Sequence, residues 1–246
     1  MINGYIITSN RYNVLLEGYI ELYNRHWNDQ SILFTILGFD EPNVNLSNNF
    51  KFVSLGKQSD YPNWSDPLKK YFSSINDDIF FLSFEDHYLV DKVNNEVLHE
   101  GISYMQDQTI DKLYISGNDY SNEIKNHYKG NWFLAKNDSG LTVNGSLMPS
   151  IWRRNFFIKL LDNASNGDCH NFERVNNNLN LNCNTLMAKD YVIYPNVDCA
   201  RKGNFNYNLF ETYKKTKTFG GKSWMTRTDD IDVFYKMKLK WEQKNV

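Results

Sequence analysis

The chain has 246 residues and a formal net charge of −2, with aromatic residues at 15%. That balance gives no basic field to attract nucleic acid over the whole surface, and the aromatic content argues against intrinsic disorder. Three cysteines without a CxxC spacing indicate neither a disulfide framework nor a thiolate zinc site, and they suit a reducing compartment.

The N-terminus enters a strand-like run at once, without a basic n-region or a long apolar h-region. No stretch approaches the roughly 20 apolar residues of a membrane span. A soluble, cytoplasmic protein is expected.

Gly4–Thr8 is a short apolar run suited to a buried strand. Between Tyr12 and Trp27 the large apolar residues recur with the spacing of an amphipathic helix. Ser31–Leu37, closed by Gly38, and Lys51–Leu55, closed by Gly56, read as two further strands. A short helical segment over Ser65–Ser74 precedes a strand at residues 78–84.

Asp91 stands where the N-cap of a helix through Met105 is expected. Lys112–Ile115 is a strand. Residues 131–147 read as short strands around the turn residues Asn137–Gly140, a hairpin signal. Pro149 is expected to open a helix through Leu161. A polar loop at 162–168 and a helix from Asn171 follow, then a last strand at Tyr191–Tyr194.

Strands alternating with helices in the first half predict an α/β fold with a mostly parallel central sheet flanked by helices. A small antiparallel hairpin section is added by residues 131–147. A single domain over 1–246 is expected, with a first half to about 115, a second from 116 to 205, and a tail from 206. In open sheets of this kind ligands bind at the carboxyl ends of the strands.

Glu85-Asp86-His87 stands at such an end, directly after the apolar run Ile79–Phe84. Oxygen donors with an imidazole suit Mn2+ or Mg2+ better than structural zinc. Alternation along an extended strand would put Glu85 and His87 on one side and Asp86 on the other. The plainer alternative is three polar residues that end a strand and enter a turn. On the same rim, Thr8, Ser9 and Arg11 are candidates to hold a nucleotide base and a phosphate. Asp40 could accept from a ribose hydroxyl or a base edge. Trp64 and Trp152 offer faces for sugar stacking or for the core. Arg153-Arg154 reads as a solvated helix face. Cys169-His170 is rejected as a catalytic dyad, because sequence neighbours rarely face one another. No GxSxG elbow, P-loop or GxGxxG occurs.

The succession resembles glycosyltransferases of the GT-A (Rossmann-like) fold, whose fourth strand ends in a short acidic motif usually written Asp-x-Asp. Glu85-Asp86-His87 takes its place here. Further pieces are similar to small GT-A enzymes of bacterial surface-polysaccharide and large-virus type. These are Thr8-Ser9, Leu37-Gly38-Phe39-Asp40, Gly56 with Trp64, Ser146-Leu147-Met148-Pro149 with Trp152, and Asn171-Phe172-Glu173. Together they cover roughly residues 3–205.

The resemblance implies a nucleoside diphosphate sugar donor, a glycan or glycoconjugate acceptor, and transfer of a hexose in polysaccharide biosynthesis. It splits the chain into a nucleotide-sugar half before about residue 115 and an acceptor half after it. A lipid-linked acceptor would bring peripheral membrane association. Glu85 and Asp86 would face the donor, and Asp86 or His87 would ligate the metal. His87 departs from the acidic pattern, so ligation by His87, ligation by Asp86 and metal-free chemistry all stay open. Glu173 matches the family's general base, with first-turn helix stabilisation as its plain alternative. Asp168 is a second candidate base, with an N-cap as its ordinary role. Arg201 and Lys202 resemble the basic segment that closes over the diphosphate. A non-catalytic carbohydrate-binding or assembly protein that kept this fold is the competing reading.

Overall fold

The computed structural model describes the chain except at residues 1, 28, 30–31, 117–123, 136–142, 165–166, 179–182, 189–191, 202, 207–217, 220–221, 224–227 and 245–246. Four parallel strands come from the apolar runs of the first third: β1 (Asn3–Ile7), β2 (Leu33–Gly38), β3 (Phe50–Ser54) and β4 (Ile79–Phe84). Between them lie α1 (Leu16–His26), entered through a short 3-10 turn at Asn13–Leu15, and α2 (Ser65–Ser74). Beyond β4 come β5 (His87–Leu89), α3 (Asn95–Tyr104), β6 (Lys112–Tyr114), β7 (Ile124–Lys129) and β8 (Trp132–Ala135). They are followed by β9 (Ser150–Arg153), α4 (Arg154–Asn163), α5 (Cys169–Asn178), β10 (Thr185–Ala188), β11 (Asn196–Asp198), β12 (Ala200–Arg201) and β13 (Asn204–Phe205). The last elements are β14 (Thr218–Phe219), β15 (Lys222–Ser223) and α6 (Thr228–Lys244).

Nine strands form one sheet in the order β3-β2-β1-β4-β9-β6-β10-β8-β7. Successive side chains along a strand face opposite sides, and the packing follows that rule. Ile6, Phe34, Ile36, Phe81 and Ile151 join one apolar cluster with α1, α3 and α6. Tyr5, Ile7, Leu37, Phe80, Leu82 and Trp152 join the other, with α2, α4 and α5. The expected α/β class, a mostly parallel sheet covered by helices, is what the chain adopts.

Several local expectations are corrected. Residues 150–153 form a strand, not the start of the helix expected from Pro149. β9 lies antiparallel between β4 and β6, all four of its residues are buried, and its pairing on both edges overrides any helical start. The helix begins only at Arg154. β8 pairs antiparallel with the preceding β7; the hairpin turn expected at Asn137–Gly140 lies outside the described residues. α3 begins at Asn95, and its N-cap is Asn94, whose side chain accepts the Val97 N–H. Asp91 instead accepts the N–H of Lys92. Of the strand expected at Tyr191–Tyr194, Tyr194 makes one bridge with Ser116.

Arg153 is not on a solvated face. It is buried, and its guanidinium donates to the carbonyls of Met105, Asp107 and Ile110 and to the side chains of Asp78 and Gln108. Among the described residues no helix is long and apolar enough to cross a membrane.

Candidate functional site

The parallel strands β1 to β4 all end on one edge of the sheet. The first residue after each of them, Thr8, Phe39, Leu55 and Glu85, lines a single cleft of about 740 Å3. This is the carboxyl-end location expected of an open α/β sheet. The other wall comes from Trp64, Leu147, Met148 and the start of α5, including Glu173.

Glu85 and Asp86 form a turn between β4 and β5, so strand alternation does not separate Asp86 from His87 as expected. The turn is locked by the Asp86 carbonyl, which accepts the N–H groups of Tyr88 and Cys199. β5 pairs antiparallel with β11, placing Asp198 directly opposite His87. The imidazole Nε2 then lies 3.9 Å from a carboxylate oxygen of Asp86 and 3.9 Å from one of Asp198. Its Nδ1 accepts the backbone N–H of Phe84 at 3.2 Å. A neutral imidazole with Nδ1 accepting carries its proton on Nε2. In this tautomer His87 shows the carboxylates a proton, and ligation through Nε2 would require loss of the Phe84 bond. Burial lowers the His87 pKa, with Asp198 opposing.

The carboxylates pay a clear electrostatic penalty in the cleft. Burial, then the charge of Asp86, holds Glu85 well above the usual carboxylate range. Burial, then the charge of Asp198, raises Asp86. Glu85 Oε2 and Asp198 Oδ1 are buried without a hydrogen-bond partner among the described residues. Oxygen atoms of this kind, repelling one another and unsatisfied, fit a hard divalent cation of the Mn2+ or Mg2+ type. Among the described residues no group of three or more His, Cys, Asp or Glu side chains could hold a metal ion. Such an ion would therefore need oxygens from a ligand or water to complete its shell.

Glu173 is set by the packing of α5. Phe172 is fully buried against Trp64 and Phe157. One turn on, Asn176 is buried and donates to the carbonyls of Leu160 and Phe172. With that face fixed, Glu173 falls on the cleft side, where its Oε1 accepts the N–H of Leu147 at 2.8 Å. Asp168 caps the same helix by accepting the Asn171 N–H at 2.9 Å, the ordinary alternative to a base. Trp64 lines the cleft and stacks on Phe84 with an interplanar angle of 15°. Trp152 is fully buried in the core.

Several solved structures are similar to this chain at low sequence identity. Residues 1–349 of S. aureus TarS in complex with UDP share 13% identity at a TM-score of 0.47, over 79% of this chain and 60% of that one. The same TarS piece in complex with UDP-GlcNAc gives 13% identity and a TM-score of 0.48, over 99% and 70%. Apo-UDP-glucose pyrophosphorylase gives 9% and 0.48, over the whole of both chains. This chain thus spans less than two thirds of the TarS piece in its UDP complex. No protein-family model matches the chain, and no curated protein matches it in sequence.

The cleft brings together Thr8, Ser9, Glu85, Asp86, His87 and Glu173. Arg11 and Asp40 do not line it. The Arg11 guanidinium donates to the Gly203 carbonyl and lies 5.8 Å from the ring centroid of Trp241 on α6. The Asp40 carboxylate accepts from the Asn10 side chain, whose oxygen in turn accepts the Asp40 N–H. Arg201 contributes its backbone to the β12–β13 pair, and Lys202 lies outside the described residues. Sequence reasoning missed Asp198, which belongs to no motif and is found only through the pairing of β11 with β5. It also missed the Phe39–Tyr61 ring pair at the rim, with centroids 6.3 Å apart.

Proposed function

We propose that the protein is a glycosyltransferase that moves a hexose from a nucleoside diphosphate sugar to a glycan or glycoconjugate hydroxyl, with inversion. The observation that carries this reading is the single cleft shared by the Glu85–His87 turn, Asp198 and Glu173, residues far apart along the chain. The nucleotide would lie along Thr8, Ser9 and the Phe39–Tyr61 edge, and the sugar against Trp64, whose indole suits a pyranose face.

Glu173 would take the proton of the acceptor hydroxyl as that oxygen attacks the anomeric carbon. Its Oε1 is held by the Leu147 N–H, and Oε2 has no partner among the described residues, leaving that oxygen for the proton. The bond to the diphosphate breaks on the opposite side, and the leaving group departs as an anion, so it needs electrostatic stabilisation. The Nε2–H of His87 would supply one donor. Asp86 and Asp198 would hold a divalent cation, which when bound neutralises charge on the diphosphate.

The test is turnover of a panel of UDP- and GDP-sugars, with and without Mn2+, for the wild type and Glu173→Gln. A general base typically contributes about 10²- to 10⁴-fold, so the variant should lose turnover on that scale while UDP still raises its melting temperature. Undiminished turnover in the variant would remove Glu173 as base. A wild type that binds glycans but turns over no sugar nucleotide would favour the non-catalytic carbohydrate-binding reading.

A further inference from the structure

Lys112 opens β6 and is fully buried. Its cross-strand partner is Trp152 of β9, and its ammonium lies 4.0 Å from the centroid of that indole. Nζ donates to two backbone carbonyls, Val143 and Ser146, each at 2.6 Å. A buried ammonium without a bonded carboxylate is costly, and Leu or Met would fill this strand position without that cost.

The carbonyl of Ser146 and the N–H of Leu147 belong to one peptide group. Its oxygen accepts from the Lys112 ammonium, and its N–H donates to Oε1 of Glu173. Hydrogen bonds in series polarise one another, so a cation on the oxygen strengthens the N–H as a donor. The lysine and the glutamate thus sit at the two ends of one amide.

We propose that Lys112 is a positioning residue for Glu173, acting through the Ser146–Leu147 peptide to hold the carboxylate in place at the cleft wall. The inference rests on the proposed role of Glu173 only for its catalytic consequence; the linkage is a property of the chain without substrate.

The groups around Lys112 make this link sensitive to pH. Cys183 approaches from the segment before β10, Glu173 from α5, and the Tyr114 ring from the same strand, 5.5 Å from Nζ. Burial lowers Lys112 to about 7, opposed by Cys183 and Glu173. Burial raises Cys183 to about 11, so its thiol stays neutral where Lys112 changes charge. Loss of the ammonium proton weakens the Leu147 N–H as a donor to Glu173.

The experiment is NMR on the ligand-free full chain, with 15N-leucine and carboxyl-13C glutamate labels. In the wild type the Leu147 amide and the Glu173 carboxyl carbon should both shift through one inflection near neutrality, from Lys112. Lys112→Met should abolish that inflection at both positions. A folded Lys112→Met in which both resonances respond as in the wild type would overturn the proposal. If that variant does not fold, a wild-type Leu147 amide flat between about pH 6 and about pH 8 would overturn it equally. Should the linkage hold while Glu173→Gln keeps full turnover, the base assignment fails and the linkage stands. Should turnover need Glu173 while neither resonance responds to Lys112, only the linkage fails.

Discussion

His87 and Asp198 are cross-strand partners, and the imidazole Nε2 lies 3.9 Å from the Asp198 carboxylate. The pairing puts a second carboxylate beside Asp86 and defines the charge of the cleft floor. Asp198→Asn removes that charge and keeps the shape. Mn2+ added with UDP should raise the melting temperature of the wild type, because a ligand that binds only the folded state stabilises it. The increment should shrink in Asp198→Asn. With EDTA and no nucleotide the variant should melt no lower than the wild type, since repulsion with Asp86 is relieved. An equal Mn2+ response in both proteins would take Asp198 out of the cation site.

Arg153 fastens β9 to the segment at 105–110 through buried carbonyls. Arg153→Met keeps the volume and strands those acceptors, while the exposed carboxylate of Asp78 turns to water. The expected loss is about 3–5 kcal/mol in urea unfolding. A loss below about 1 kcal/mol would mean that the sheet pairing of β9 suffices without the guanidinium.

Gly18 is where α1 meets both β5 and α6. A Cβ there would come within 2.4 Å of the Tyr88 hydroxyl and 2.6 Å of Met237 Cγ. The Tyr88 hydroxyl is itself bonded to the Leu15 carbonyl at 2.7 Å, so it cannot retreat without breaking that contact. Gly18→Ala should cost about 1–3 kcal/mol, read as a lower urea midpoint. Limited proteolysis should cut α6 earlier in the variant. An unchanged midpoint would show that these helices are not closely packed.

Lys112 gives a dependence of stability on pH with a definite sign. Its folded-state pKa is depressed to about 7, against about 10.4 in an unfolded chain. Between those values the unfolded chain binds the extra proton, so unfolding becomes harder as pH rises. The difference in stability between the wild type and Lys112→Met should therefore grow in favour of the wild type from about pH 7 to about pH 10. A difference that stays flat would place the ammonium in water.

The sequence carried the first half of the sheet well. Ile6, Phe34, Ile36 and Phe80–Leu82 sit in short apolar runs, and Gly38 closes one of them, so local pattern and final environment agree. Ser150–Arg153 misled because a proline before an apolar stretch also suits a helix start, and only pairing with β4 and β6 decides the matter. Arg153 looked solvated because nothing local announces five acceptors folded around it. The Glu85–His87 turn was legible as a strand end, and Glu173 as a polar residue after a loop. Asp198 was not, because its meaning comes wholly from the strand it faces. Lys112 was equally silent, since a lysine at the head of a short strand is ordinarily exposed.

The central place of β9 also bears on how the protein is made. Until Ser150–Arg153 has emerged from the ribosome, β4 has no neighbour on one side, and its free backbone groups lie beside Phe80 and Phe81. A bare hydrophobic edge of this kind recruits strands from other chains. Nascent chains stalled upstream of residue 150 should therefore be sticky and depend on chaperones, whereas chains carried past it should seal that seam themselves.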